Sequence, residues 1–244
     1  MNVLATIAFD GTNYSGFQVQ KNAITVCEVF QDAMEKIFGE RIPVIGCSRT
    51  DSGVHAKDYK VQFLLPYEIQ MRKLPLSFNA HLPPDIRVLK TEVVKDDFHA
   101  RYDVKSKKYV YYIYNSAIES PFTSKYCYRT GVKIDVEAMK VAAIHFLGTH
   151  NFASFMSLGS SVEDTVRTIF ELQVQKQENE ITISVEADGF LYNMVRIIAG
   201  TLLEVGKGKK TPDEITAIIK GENRKLAGPT LPAKGLFLEE VKYK

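Results

Sequence analysis

The sequence carries a compact polar stretch, RTDSGVHA, at residues 49–56. Residues 42–46 before it and residues 60–65 after it contain several apolar positions, which predicts two strands with a loop between them. Gly53 allows the loop a backbone angle that other residues avoid. Loops held between strands are favoured places for catalytic groups, so this stretch is the first candidate site.

Two charged residues of this loop are candidates for chemistry. The carboxylate of Asp51 can act as a nucleophile or a base. Arg49, two residues earlier, can hold that carboxylate ionised or contact a phosphate. In many turns, however, an aspartate only hydrogen-bonds its own backbone. These residues alone leave both interpretations open.

The elements on either side of the loop fall into two halves of similar order. The predicted strands are residues 3–9, 42–46, 60–65, 86–94, 107–115, 165–175, 181–187 and 236–243, and the predicted helices are residues 25–38, 71–81, 135–147, 191–205 and 212–220. This order predicts two related α+β lobes, residues 1–103 with the aspartate loop and residues 104–244 with a tyrosine-rich strand and an arginine-bearing helix.

The predicted helix at residues 191–205 is apolar or small nearly all round, which indicates burial on both sides. Arg196 lies on the side opposite the main apolar stripe. A buried guanidinium needs a carboxylate partner, and Asp51 is one candidate. The alternatives are an arginine that reaches the surface or one that pairs with Glu204.

The tyrosine-rich strand begins at two lysines, Lys107 and Lys108. Tyr109 stands at this basic end and is the best candidate for stacking on a nucleobase, whereas residues 111–114 are expected to pack in the core. The net charge of +2, from 31 basic and 29 acidic residues, does not by itself indicate a nucleic-acid partner. Basic clusters at residues 101–130 and 207–210 can form a local phosphate-binding surface.

Composition excludes several other classes of protein. Of the 244 residues, 45% are hydrophobic and 25% are charged, which is typical of a globular chain. No apolar run reaches the 18 or so residues of a membrane helix, and no signal peptide is evident. The three cysteines are scattered, and HExxH, GxGxxG and P-loop motifs are absent. We therefore expect a cytoplasmic protein with free thiols and no membrane association.

A series of ordered segments spans nearly the whole chain. They are FDGT at 9–12, GFQ at 16–18, RTDSGVHA at 49–56, NAHLP at 79–83, FHAR at 98–101, KY at 108–109, GTHNF at 148–152, VRTI at 166–169, GFLYNMVR at 189–196 and GL at 235–236. Together they resemble the tRNA pseudouridine synthase A family. The resemblance implies two mainly antiparallel lobes flanked by helices, with a cleft between them.

The resemblance also implies a reaction. Uridine would be isomerised to pseudouridine at positions 38, 39 and 40 of the tRNA anticodon stem-loop, without a cofactor or a required metal, by a homodimer. Asp51 would be the catalytic carboxylate, Tyr109 would stack on the uracil or help remove its C5 proton, and Arg196 would pair with Asp51. Further contacts with the RNA would come from three residues: Arg49, which would help hold the flipped base, His55 and Lys108.

The chain departs from the usual family pattern at a few positions. Residues 58–60 read Asp-Tyr-Lys where Gly-Gln-Val is common, and Ser48 replaces a frequent glycine. Phe17 stands where tryptophan is often found, and Cys27 where glutamine is usual. Because residues 58 and 59 follow the loop of Asp51, we expect changed RNA contacts and a narrowed set of target positions.

Two other functions remain open from the sequence. A non-catalytic tRNA-binding protein on the same fold would keep binding without Asp51. An unrelated carboxylate enzyme would act on a free nucleoside or sugar rather than on folded tRNA.

Overall fold

The apolar run that opens the chain forms the first strand, which is buried along nearly its whole length. The computed structural model describes residues 1–159 and 162–244. The strands are β1 Asn2–Phe9, β2 Val44–Gly46, β3 His55–Leu64, β4 Ile86–Val93, β5 Val104–Asn115, β6 Tyr128–Thr130, β7 Gly148–Asn151, β8 Val166–Gln177, β9 Glu180–Ala187 and β10 Leu236–Tyr243. The helices are α1 Val26–Phe38, α2 Leu74–His81, α3 Val136–Ile144, α4 Met194–Gly206 and α5 Glu214–Lys220.

The chain divides into two units, and each contains both strands and helices. The first unit contains Met1–Lys105 and Phe237–Lys244, and the second contains Ser106–Leu236. The strands of both units pair mainly antiparallel and are combined with helices, so the predicted α+β class is confirmed.

The sheet of the first unit is arranged around β1 and β3. β1 pairs antiparallel with β3 on one side and with β4 on the other. The second half of β3 pairs antiparallel with β2, while its first residues pair parallel with β10, where His55 lies opposite Phe237. The chain therefore leaves β2 and returns in β3 through the loop of Asp51, which is fixed at both ends by sheet.

The helices of the first unit form because their ends are chemically marked. Thr25 caps α1 by accepting a hydrogen bond from the backbone N–H of Glu28 at 3.3 Å, and Gly39 ends the helix with a φ of 81°. Phe30 of α1 stacks on Phe78 of α2 at 4.8 Å between ring centroids. Each such ring contributes about 1.5–3 kcal/mol through burial, so this aromatic layer holds both helices together.

The second unit has the strand order β5, β9, β8, β7, all antiparallel, with β6 added parallel to β5. Asp135 caps α3 by accepting from the N–H of Ala138 at 3.0 Å. α4 is buried nearly all round, which confirms the prediction from its apolar sequence.

Several element boundaries differ from the sequence-based prediction. β3 begins at His55 rather than residue 60, and α4 begins at Met194 rather than residue 191. β6 and β7 were not predicted, because they are short and their sequences lack apolar alternation. β10, counted above with residues 104–244, pairs with β3 in the first unit. The division into lobes at residue 103 stays a prediction.

None of the helices in residues 1–159 and 162–244 is long and apolar enough to cross a membrane.

Candidate active-site residues

The loop of Asp51 is tied to an earlier loop of the first unit. The backbone N–H of Gly53 donates to the carbonyl of Tyr14 at 3.1 Å, and the hydroxyl of Ser52 donates to the same carbonyl at 3.3 Å. Within the loop, Val54 N–H donates to Asp51 O at 3.2 Å. Gly53 has a φ of 78°, as its place in a tight turn predicts. These bonds fix the backbone that carries the half-buried Asp51.

Gly16 brings the earlier loop directly against the backbone of the candidate nucleophile. Its φ is 81°, and a Cβ placed there would overlap the carbonyl oxygen of Thr50 and lie 3.4 Å from the carbonyl carbon of Asp51. Only glycine permits this approach. The GFQ segment therefore supports the RTDSGVHA segment through main-chain packing.

His55, the first residue of β3, follows the loop of Asp51 and contacts the earlier loop through its ring. It is 1% exposed, and its Nδ1 lies 3.1 Å from Gly11 N and 3.0 Å from Asp10 Oδ1. Its ring stacks on Phe237 at 4.5 Å between centroids. These contacts give His55 a structural part in the first unit, while its expected contact with RNA stays a prediction.

The divergent segment at residues 58–60 lies inside the first unit. Asp58 Oδ2 accepts from the backbone N–H of Val241 at 2.9 Å, and Asp58 Oδ1 forms an ion pair with Lys60 Nζ at 2.5 Å. Tyr59 is 0% exposed. Because Tyr59 is buried, it acts on its surroundings through the residues packed against it, and the expected change in RNA contacts stays a prediction. The predicted narrowing of target positions is not tested by these contacts.

In the second unit, Tyr109 lies in β5 opposite Val185 of β9. Its side chain is 7% exposed, and its ring meets the ring of Phe190 edge-on at 5.1 Å between centroids. The neighbouring Lys108 forms an ion pair with Glu171 at 3.0 Å. Lys108 thus has a carboxylate partner before any RNA binds.

The expectation of core packing for residues 111–114 is confirmed for Tyr111 and Ile113, whereas Tyr112 and Tyr114, on the other face of the strand, are only half-buried. Tyr111 is fully buried, and its hydroxyl donates to the carbonyl of Pro232 at 2.8 Å. Burial raises the pKa of Tyr111 far above its ordinary value. It therefore acts as a neutral structural donor.

The acceptors that hold Arg196 at the start of α4 include a backbone carbonyl and a side-chain amide. Its Nε donates to the carbonyl of Leu231 at 2.7 Å, and its Nη1 donates to Asn193 Oδ1 at 2.6 Å. Asn193 has a φ of 61°, and its amide nitrogen donates to Ser157 Oγ at 2.9 Å. These hydrogen bonds fix the orientation of the Arg196 guanidinium group.

Sequence reasoning missed Asn193 as a hydrogen-bond partner of Arg196. Asparagine tolerates the left-handed backbone region better than most residues, and it stands directly before a long apolar helix. An asparagine in that position was the sequence feature that could have identified Asn193.

The six predicted site residues divide between the two units. Arg49, Asp51 and His55 belong to the first unit, and Lys108, Tyr109 and Arg196 belong to the second. Arg49 is exposed at the loop surface. Across the described residues, no group of three or more His, Cys, Asp or Glu side chains is placed to hold a metal ion. The functional groups of the six predicted site residues are one carboxylate, two guanidinium groups, one ammonium group, one imidazole and one phenol ring.

Comparison with known proteins gives consistent matches over the full chain. A family model described as tRNA pseudouridine synthase matches residues 5–103 and 142–244. A protein named tRNA pseudouridine synthase A from Thermoanaerobacter sp. (strain X514) is 46% identical over 242 residues, covering 99% of each chain. Proteins of the same name from Clostridium acetobutylicum and Bacillus pumilus are 48% and 44% identical, with 99% and 100% of this chain and 99% of each relative covered.

Among solved structures, one titled as a Cbf5-Nop10-Gar1 complex is similar to this chain. Its TM-score is 0.39 at 13% identity, over 82% of this chain and 45% of that chain.

Proposed function

The chain belongs to the tRNA pseudouridine synthase family, and on that premise we propose that it converts uridine to pseudouridine at positions 38, 39 and/or 40 of the tRNA anticodon stem-loop. The carrying observation is the RTDSGVHA loop, where Asp51 stands on a backbone fixed by Tyr14 and Gly16 within a chain matched over its whole length. The protein is an isomerase, since the product has the same atoms as the substrate.

The reaction breaks the bond between uracil N1 and ribose C1′ and forms a bond between C5 and C1′. The C5 proton is lost and N1 gains one, so atoms and electrons balance without a cofactor. Asp51 either attacks C1′ as a nucleophile or stabilises it as uracil leaves. In both cases the carboxylate must be ionised and held close to the sugar, which a rigid loop favours.

Other residues are assigned around Asp51 in the proposal. Tyr109 stacks on the uracil or helps remove the C5 proton, and Arg196 pairs with Asp51 to keep it ionised. Support for Arg196 comes from its hydrogen bonds to Leu231 O and Asn193 Oδ1, which orient the guanidinium within the second unit.

Contacts with the RNA are assigned to three residues: the exposed Arg49, the half-buried Lys108 and the buried His55. Arg49 contacts the RNA and holds the flipped nucleotide, since N1 and C5 are hard to reach inside a stacked stem. Lys108 contributes by exchanging its ion pair with Glu171 for a phosphate of the RNA. His55 contributes from its buried position between Asp10 and the loop of Asp51. We further propose a cytoplasmic homodimer with tRNA as its partner.

The proposed activity is tested on unmodified tRNA transcripts with uridine at positions 38, 39 and 40. Pseudouridine is mapped by chemical labelling and primer extension, and free uridine and UMP are assayed in parallel. We expect product in folded tRNA alone. Turnover of free uridine or UMP would instead support a nucleoside enzyme, and binding without product would support the non-catalytic function.

Phosphate contacts are tested by salt. If the basic clusters bind the tRNA backbone, affinity should fall at least about tenfold between about 50 and about 200 mM salt. The measurement is a filter-binding titration of one tRNA at several salt concentrations. A flat response would contradict binding through phosphates.

A further inference from the structure

Tyr59 lies in β3 near the point at which β2 ends and the loop of Asp51 begins. The last backbone bond on this side runs from Cys47 N–H to Lys60 O at 2.9 Å. The next residue, Ser48, is held by a side chain instead, because the Tyr59 hydroxyl donates to the Ser48 carbonyl. The loop thus begins with a side-chain anchor from β3.

The ring of Tyr59 is fixed on several sides. Phe17 stacks on it at 4.3 Å between centroids with a 27° angle between ring planes, and Phe9 lies at 5.6 Å. Gly46 closes the space near the hydroxyl, since a Cβ there would overlap Tyr59 Oη and come within 2.5 Å of Phe17 Cε1. A ring confined in this way presents its hydroxyl in one direction.

The loop therefore has an anchor near each end. The Tyr59 hydroxyl holds Ser48 O on the side before Asp51, and the Tyr14 carbonyl accepts from Gly53 N–H on the side after it. Phe17 connects to both regions, since its ring packs on Tyr59 and its neighbour Gly16 packs on Thr50 and Asp51. Three of the residues that depart from the family pattern, Phe17, Ser48 and Tyr59, thus meet in one cluster.

We propose that Tyr59 is a positioning residue for Asp51, and this inference rests on the proposed function. Its hydroxyl orients the loop through the Ser48 carbonyl and does not touch the RNA. Loss of the hydroxyl leaves that carbonyl without its side-chain donor while the aromatic packing remains. Small displacements of a reacting group lower the rate of the chemical step more than they weaken substrate binding.

The main test compares two conservative variants of the full-length protein. Tyr59→Phe removes the hydroxyl that anchors the loop, whereas Tyr243→Phe removes a hydroxyl that donates to the Ala100 carbonyl at 2.9 Å, also in the first unit. We expect kcat on tRNA to fall about tenfold in Tyr59→Phe, with an unchanged KM, and to stay unchanged in Tyr243→Phe. An unchanged kcat in Tyr59→Phe would overturn the inference.

The ratio of products at positions 38, 39 and 40 provides a second readout. A buried positioning residue lowers modification at every position by the same factor. A changed ratio in Tyr59→Phe would overturn the inference, because it would indicate an effect on RNA selection.

Hydrogen exchange separates this inference from the proposed function. We expect peptides covering residues 48–53 to exchange faster in Tyr59→Phe than in wild type or Tyr243→Phe. If wild type modifies no tRNA, the proposed function fails, and the exchange result still decides whether Tyr59 anchors the loop. Equal exchange in all three proteins would overturn the anchoring role.

Discussion

The loop of Asp51 and the start of α4 each carry a charged side chain of the proposed reaction, Asp51 and Arg196, but they hold it by different means. Asp51 stands on irregular backbone whose supports lie outside the loop, Tyr14 and Gly16 well before it and Tyr59 in the following strand. Arg196 stands on a buried helix, and one of its acceptors, Asn193, is only three residues earlier.

The comparison shows where substitutions are expected to matter. A loop without internal regular structure keeps its shape only while each distant contact is intact. A helix fixes its own backbone, so that its functional side chain depends mainly on the last few atoms of contact. Substitutions in the supports should therefore disturb the loop more than the helix.

The largest effect is expected when the charge carried by the loop is removed. Asp51→Ala should lower activity by roughly 10³-fold or more while tRNA binding survives, since the reacting carboxylate is lost. Single-turnover assays and filter binding measure the two properties. Asp32→Ala is the control, because that aspartate pairs with Arg41 at 2.7 Å on the exposed surface of α1. Retained isomerisation in Asp51→Ala would refute the assignment of the nucleophile.

A smaller effect is expected when a loop support is disturbed. Gly16→Ala adds a methyl group that overlaps Thr50 O and also forces an L-residue into a φ of 81°. Gly39→Ala has the same φ of 81° with nothing within 4 Å of the new methyl group. Gly39→Ala should cost about 1 kcal/mol, and Gly16→Ala about 2 kcal/mol more with a clear loss of kcat.

Urea unfolding and tRNA assays on both glycine variants make the measurement. Equal free energies of unfolding would mean that the close approach of Gly16 to the loop is not a constraint. An unchanged kcat in Gly16→Ala would remove the contrast drawn between the loop and the helix.

The next largest effect on kcat is expected when a hydrogen bond that orients Arg196 is removed. Asn193→Ala removes the acceptor of Arg196 Nη1 and also strains a φ of 61°, whereas Asn193→Gly removes the acceptor without that strain. Both should lower kcat by about the same factor, less than about tenfold, because Leu231 O still holds Nε. Only Asn193→Ala should also lose about 1 kcal/mol of stability.

Melting curves and kcat values separate the two effects of Asn193. A loss of activity that follows stability, present in Asn193→Ala and absent in Asn193→Gly, would mean that the hydrogen bond to Arg196 is unimportant.

The smallest effect concerns the thiols of both units. Burial raises the pKa of Cys27 to about 11, and it also raises the pKa of Cys127. At pH 8 the thiolate fraction of Cys27 is therefore about 10⁻³, and iodoacetamide should react slowly and leave activity unchanged. Mass spectrometry of native and urea-unfolded protein checks this. Rapid native alkylation with loss of activity would show that the protein opens more readily than its burial indicates.

Local patterns in the sequence were sufficient for much of the fold. Thr25 and Gly39 mark the two ends of α1 by capping chemistry, and the apolar surface of α4 indicates its burial. β7 escaped prediction because its sequence, GTHN, has no apolar alternation. The family resemblance selected Asp51, Tyr109 and Arg196, which composition and spacing alone left among several alternatives.

The cap, the helical period and the turn glycine are readable from the sequence because each depends on neighbours within a few residues. The anchor from Tyr59 to Ser48 and the parallel pairing of β10 with β3 appear only in the folded chain. The physical reason is that a side-chain bond to a distant carbonyl follows from where two backbones meet. A contact between two backbone segments produces no periodic pattern in the residues that form it, so the sequence does not predict it.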